Sequence, residues 1–224
     1  MCPHFIKVIR SRRRTISLEI DQKGVLTVRA PYGLDRITIN DVLRRHQPWI
    51  RKKRQEVQRR QKLSCPKKFE DGENFLWLGR AYPLEIVKRN RPPLTFDGQK
   101  FELAAPFLAS ARQVFETWLK QQARLYLTSR VAAISRQTGL KYEKFRLSSA
   151  ATRWGSCSAR GTISLVWRLI MAPSDIIDYL IVHELAHTKE KNHSRAFWRL
   201  VEDFVPDYKE RRHWLRKNGF QLNF

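Results

Sequence analysis

The sequence predicts an α+β protein with three parts: a β-rich N-terminal half carrying basic helices, a long linking helix, and a compact C-terminal half. Three observations predict it. Short alternating segments broken by Gly, Pro and Asx residues fill most of residues 1–105. Val114, Phe115, Trp118, Leu119, Leu125, Tyr126, Val131 and Ile134 then recur at helical spacing. Finally, residues 181 to 198 read IVHELAHTKEKNHSRAFW, an HExxH string on a helix-forming segment. The change of texture puts a boundary near residue 105, with an accessory part at 1–105 and a metal-binding part at 106–224.

Along the chain, Phe5 to Arg10, Thr15 to Ile20 and Val25 to Ala30 read as strands, with turn chemistry in Asp21-Gln22-Lys23-Gly24. Pro31 and Gly33 end that run. Thr38 to Asp41 resembles a capping box opening a helix through His46, and Pro48 suits the first turn of a second helix with Trp49 and Ile50 inward. Strand character returns over 75–103, interrupted by Asn90, Pro92, Pro93 and Gly98. The long helix ends at Gly139, and two or three strands follow at 145–150, 152–158 and 162–167. Ser174 is placed to cap the HExxH helix. Further helices are expected at 195–204 and about 208–217.

Side chains four apart lie on one face of a helix, so His183 and His187 can aim imidazole nitrogens at a single ion. Glu184 lies beside them, within reach of a water on that ion. His193 follows where the chain can return to the same point, and Glu202 on the next helix is the rival third ligand. Three protein ligands plus water is a catalytic zinc arrangement, whereas structural sites usually close with four.

The 224 residues hold 44 Lys and Arg against 21 Asp and Glu, a net charge of +23. Such an excess attracts polyanions. Arg51, Lys52, Lys53 and Arg54, in the most basic stretch, are the candidate polyanion-binding residues, with nucleic acid the expected partner and a solvated helix face the alternative. Cys2, Cys65 and Cys157 share no disulfide or metal spacing, which fits a reducing compartment. With neither a signal-like N-terminus nor a membrane-length apolar run, a cytoplasmic protein is expected.

The strings Arg153-Trp154-Gly155-Ser156-Cys157-Ser158, Ile163 to Leu169, Ala172-Pro173, Ile177-Asp178-Tyr179 and HELAHTKEKNHSRAFW together resemble the YgjP-like metallopeptidase family, related to the SprT-like small zincins. The resemblance covers nearly the whole chain. It implies a zincin-like fold, Zn²⁺ on His183, His187 and His193, Glu184 as acid/base, and the RWGSCS strand bordering the cleft. Arg153, Trp154 and Arg168 then become candidate substrate-binding residues. For the arginines the alternative is an ion pair with Asp178, and for Trp154 it is packing. The histidine spacing equals that of metzincins, but Glu190 replaces their Gly and no Met-turn follows. No Asn, frequent in the family, stands near Val166.

The expected function is a zinc metallopeptidase acting on a peptide substrate. The alternatives are a metal-dependent pyrophosphatase acting on a pyrimidine triphosphate, an activity associated with the family, and a nucleic-acid-binding protein with a structural metal. Cys157 has no dedicated His partner that would make it a nucleophile.

Overall fold

A computed structural model describes residues 6–21, 24–63, 67–88 and 92–222. Cys2, Phe5, Gln22, Lys23, Cys65 and Asn90 lie outside the described residues. The chain forms two compact units, residues 1–65 and 66–224. No helix among the described residues is long and apolar enough to cross a membrane.

In the first unit, β1 (Ile6–Ser11), β2 (Ser17–Ile20) and β3 (Leu26–Pro31) form a sheet of order β1-β3-β2, with β1 parallel and β2 antiparallel to β3. The period-two pattern of β3 puts Leu26, Val28 and Ala30 in the core, where they meet Ile39 and Ile50. These last two come from α1 (Arg36–Arg45) and α2 (Gln47–Leu63). The helix cap differs from expectation. Asp35, not Thr38, caps α1, its carboxylate accepting from Thr38 N–H at 2.6 Å. Ile50 is buried as expected, but Trp49 is 42% exposed.

The second unit begins with β4 (Asn74–Trp77), β5 (Arg80–Val87), β6 (Leu94–Phe96) and β7 (Phe101–Ala104), in the order β4-β5-β7-β6. A short 3₁₀ turn leads into α3 (Ala111–Thr138), which stops at left-handed Gly139 as expected. Its buried stripe is Ala111, Phe115, Leu119, Ala123, Leu127, Val131 and Ile134, whereas Leu125, expected inside, is 68% exposed. The stripe serves two cores. Phe115 stacks on Phe75 at 4.2 Å and joins Phe69 and Phe101 against the sheet, while Leu119 onward packs on the C-terminal helices. The division therefore falls at 65/66 and not at 105, because α3 joins residues 67–104 to the C-terminal helices.

Beyond α3, β8 (Lys144–Ser148), β9 (Gly155–Cys157) and β10 (Thr162–Val166) form a sheet of order β8-β10-β9. Then come α4 (Ser174–Ala186), α5 (Arg195–Phe204) and α6 (Tyr208–Asn218). Ser174 is the first residue of α4; Pro173 occupies the cap position, so the expected serine cap is absent. The start of α4 is braced instead by the β4–β5 turn. Leu78 and Gly79 both have positive φ, 46° and 81°, which matches strand twist but is costly for a leucine. Their N–H groups donate to the Ile170 and Met171 carbonyls at 2.9 and 3.2 Å, which holds the turn in place. A side chain at 79 would strike Pro173, 2.7 Å from its Cα. On the other side of α4, Asp178 takes a bidentate pair from Arg130 of α3, at 2.6 Å for each contact.

Candidate metal centre

α4 is buried almost all round, and His183 and His187 occur one turn apart at its C-terminal end, His187 being the cap residue. The chain then turns, and His193 comes just before α5. That position is fixed by Ser194, which caps α5 by accepting from Phe197 N–H at 3.2 Å. Ligand atoms of His183, His187 and His193 lie within 4.8 Å of one another, the group among the described residues suited to hold a metal ion. The rival third ligand is elsewhere: Glu202 is exposed and faces Lys209 at 3.9 Å.

The rings share a floor. Phe197, fully buried, lies 4.9, 4.5 and 4.8 Å from the His183, His187 and His193 ring centres. Trp198 stacks on His193 at 5.4 Å and on Tyr208 at 5.1 Å.

The donor chemistry fits a zinc ion. His193 Nε2 and His183 Nε2 face each other at 3.1 Å, a meeting of lone pairs that one proton or one cation can satisfy. His187 Nδ1 lies 3.0 Å from the Glu190 carbonyl; donation there makes Nε2 the free lone pair. Burial, then the charges of His187, His193 and Arg212, lower the His183 pKa to about 3; burial, His187 and Arg212 also lower that of His193. Both shifts favour the neutral ring, the form that ligates.

Glu184 is 5% exposed, the buried charged side chain among the described residues. Burial raises its pKa to about 7, against the opposing pull of Arg153. β9 runs directly against it. A Cβ on Gly155 would collide with the carboxylate, 2.8 Å from both Cδ and Cγ. The glycine of RWGSCS thus makes room for Glu184. Burial raises the Cys157 pKa too, which keeps that thiol protonated.

The other sequence candidates divide. Arg153 is exposed and its charge reaches Glu184. Arg168 is turned elsewhere: it donates to the Ala150 carbonyl at 2.6 Å and lies over Trp167. Neither arginine pairs with Asp178, which belongs to Arg130. Trp154 is half-buried against the core, its ring 2.8 Å from where a Gly219 Cβ would stand, so it packs the end of α6. Sequence reasoning missed Arg212, whose guanidinium lies 4.9 Å from the Trp198 ring centre and whose charge acts on His183 and His193. Its separation in sequence from HExxH left no local signal.

Replacing His183 or His187 with Ala is expected to abolish stoichiometric zinc binding, since each change removes one of the three candidate ligands. Elemental analysis of the purified variants checks this, and full occupancy in both would refute the site.

The chain is similar to known proteins in three respects. A crystal structure of the metallopeptidase zymogen of Pyrococcus abyssi abylysin is similar at 26% identity with a TM-score of 0.37, covering 40% of this chain and 93% of that one. The UTP pyrophosphatase of Escherichia coli (strain K12) is 37% identical over 54 residues, 24% of this chain and 32% of that enzyme. The chain thus spans about a third of the length of the curated relative it matches. Residues 14–218 match the model of the YgjP-like metallopeptidase domain, and over that span the chain belongs to the YgjP-like family.

Proposed function

We propose that the protein is a zinc-dependent metallopeptidase in which His183, His187 and His193 hold Zn²⁺ and Glu184 is the general base. One observation carries the peptidase reading: among the described residues β9 is an edge of its sheet, and it lies against Glu184. In its ladder with β10, Ser158 N–H donates to the Thr162 carbonyl and Val166 N–H to the Trp154 carbonyl, both 2.9 Å. Pairing alternates along antiparallel strands, so the N–H and C=O groups of Gly155 and Cys157 point to the free edge. An extended peptide can add there as a strand.

Bound zinc would supply Lewis acidity and lower the pKa of a water to about 7. Glu184 accepts a proton from the attacking water and returns it to the leaving nitrogen. Its burial favours this role by raising its proton affinity.

A second reading, a nucleoside triphosphate pyrophosphatase, is favoured by a different observation. Arg153, Lys191 and Arg212 carry charge that reaches Glu184, Cys157 and the histidines, and phosphate chemistry needs such cations. Similarity to the UTP pyrophosphatase adds to it. Assaying zinc-loaded protein in parallel on an unfolded polypeptide and on UTP decides between them. Peptide-bond cleavage without pyrophosphate release supports the peptidase; the reverse overturns it.

The basic helices are proposed to recruit nucleic acid. Arg51 and Lys52 are exposed, while Lys53 is engaged by Glu56 at 2.9 Å. Replacing Arg51, Lys52, Lys53 and Arg54 together with Gln should weaken binding and flatten its salt dependence, because each phosphate contact releases counterions. Zinc content should not change. Fluorescence anisotropy with a labelled strand and a duplex at several salt concentrations measures this; identical binding would reduce the helices to a solvated surface.

A further inference from the structure

Arg211 and Arg212 are neighbours in α6 with different surroundings. Arg211 is tied down: its Nε donates to Asp207 at 2.8 Å and its Nη1 to the Asp175 carbonyl at 2.9 Å. Arg212 is exposed and forms no ion pair among the described residues. Its position is nevertheless defined, because its guanidinium lies 4.9 Å from the centre of Trp198 and Trp198 stacks on His193. A free guanidinium is therefore held one aromatic ring away from a candidate metal ligand.

The charge balance of that corner is unusual. A divalent ion held by the three imidazoles contributes two positive charges. Arg212 adds another, and Arg153 and Lys191 lie within electrostatic reach of neighbouring groups. Glu184 is the acidic group that the charge of Arg153 reaches. Positive charges gathered around one site are relieved by an anion between them. Arg212 itself has no ion-pair partner among the described residues, so its guanidinium is available to an anion that comes with a ligand.

We propose that Arg212 binds an anionic oxygen of the substrate beside the metal, making the site selective for substrates with a phosphate or carboxylate group next to the cleaved bond. This rests on the reading that the triad holds zinc. The planar guanidinium suits either anion, since two parallel N–H groups match two oxygens.

Calorimetric titration of the zinc-loaded full chain with inorganic phosphate, and separately with acetate, tests it. Arg212→Gln should weaken binding about tenfold or more, the scale of one charge-assisted contact. Arg212→Lys should restore part of it, and Arg136→Gln, the same charge change at the far end of α3, should do nothing. A loss for phosphate alone identifies a phosphate-bearing substrate; a loss that includes acetate identifies a carboxylate-bearing one. Wild type and Arg212→Gln binding both anions alike, or wild type binding neither, overturns the proposal. Zinc content of the same samples reports separately on the metal: a wild type without zinc contradicts the underlying reading, and equal zinc in all variants leaves only Arg212 in question.

Discussion

Glu184→Gln should leave a folded, zinc-loaded protein that no longer turns over. The amide has the shape of the carboxylate but cannot accept a proton, and removing a general base typically costs about 10²–10⁴-fold in rate. The structure sharpens the expectation about stability. Glu184 is buried against β9, so its charged form carries a desolvation cost that a neutral amide does not. The variant should unfold at the same temperature as the wild type or higher. Activity on whichever substrate the parallel assays identify, zinc content and thermal denaturation are measured on one preparation. Undiminished hydrolysis with zinc in place would remove Glu184 from the chemistry.

Gly155→Ala should damage the same carboxylate from the other side. The added methyl would meet Glu184 Cδ and Cγ at 2.8 Å, closer than van der Waals contact allows, with the strand on one side and the core on the other. Overpacking of this kind costs about 1–3 kcal/mol. Moving a catalytic group by about 1 Å can cost on the order of 10²-fold in rate. Zinc should stay bound, because the three heavy atoms nearest the added methyl all belong to Glu184 and none to a histidine. Gly33→Ala is the control: nothing lies within 4 Å of that position, so neither stability nor turnover should move. If Gly155→Ala behaved like Gly33→Ala, the close approach of β9 to the base would have no functional weight.

Local signals in the sequence carried most of the secondary structure and the heart of the site. The stop of α3 at Gly139 was legible because only glycine takes a left-handed cap easily. His183 and His187 were legible because helical spacing alone aligns them. The preference for His193 over Glu202 came from its place after the helix and from the family resemblance, since helical spacing does not say how the chain turns between α4 and α5. Two helix starts moved by one to three residues, to Asp35 and Pro173, where neighbouring residues compete for the cap. The Arg130–Asp178 pair joins residues 48 apart in sequence, and nothing near either names its partner. Arg212 and the clearance at Gly155 were invisible for the same reason. The boundary at 105 followed composition, whereas the packing of Phe115 on Phe75 ties both sides of that point together.

Phe197 has a consequence for metal chemistry. Because one buried ring touches all three imidazoles, folding alone gathers the donors, and the ordering cost of about 0.5–1.5 kcal/mol per side chain is met before an ion arrives. The centre is thus preorganised. Stripping it with a chelator should leave a folded apoprotein, unlike a zinc finger, which collapses without its ion. The same stiffness bears on selectivity: a cage of three fixed nitrogens disfavours ions that demand six oxygen donors, so magnesium and calcium should compete poorly even at cellular abundance.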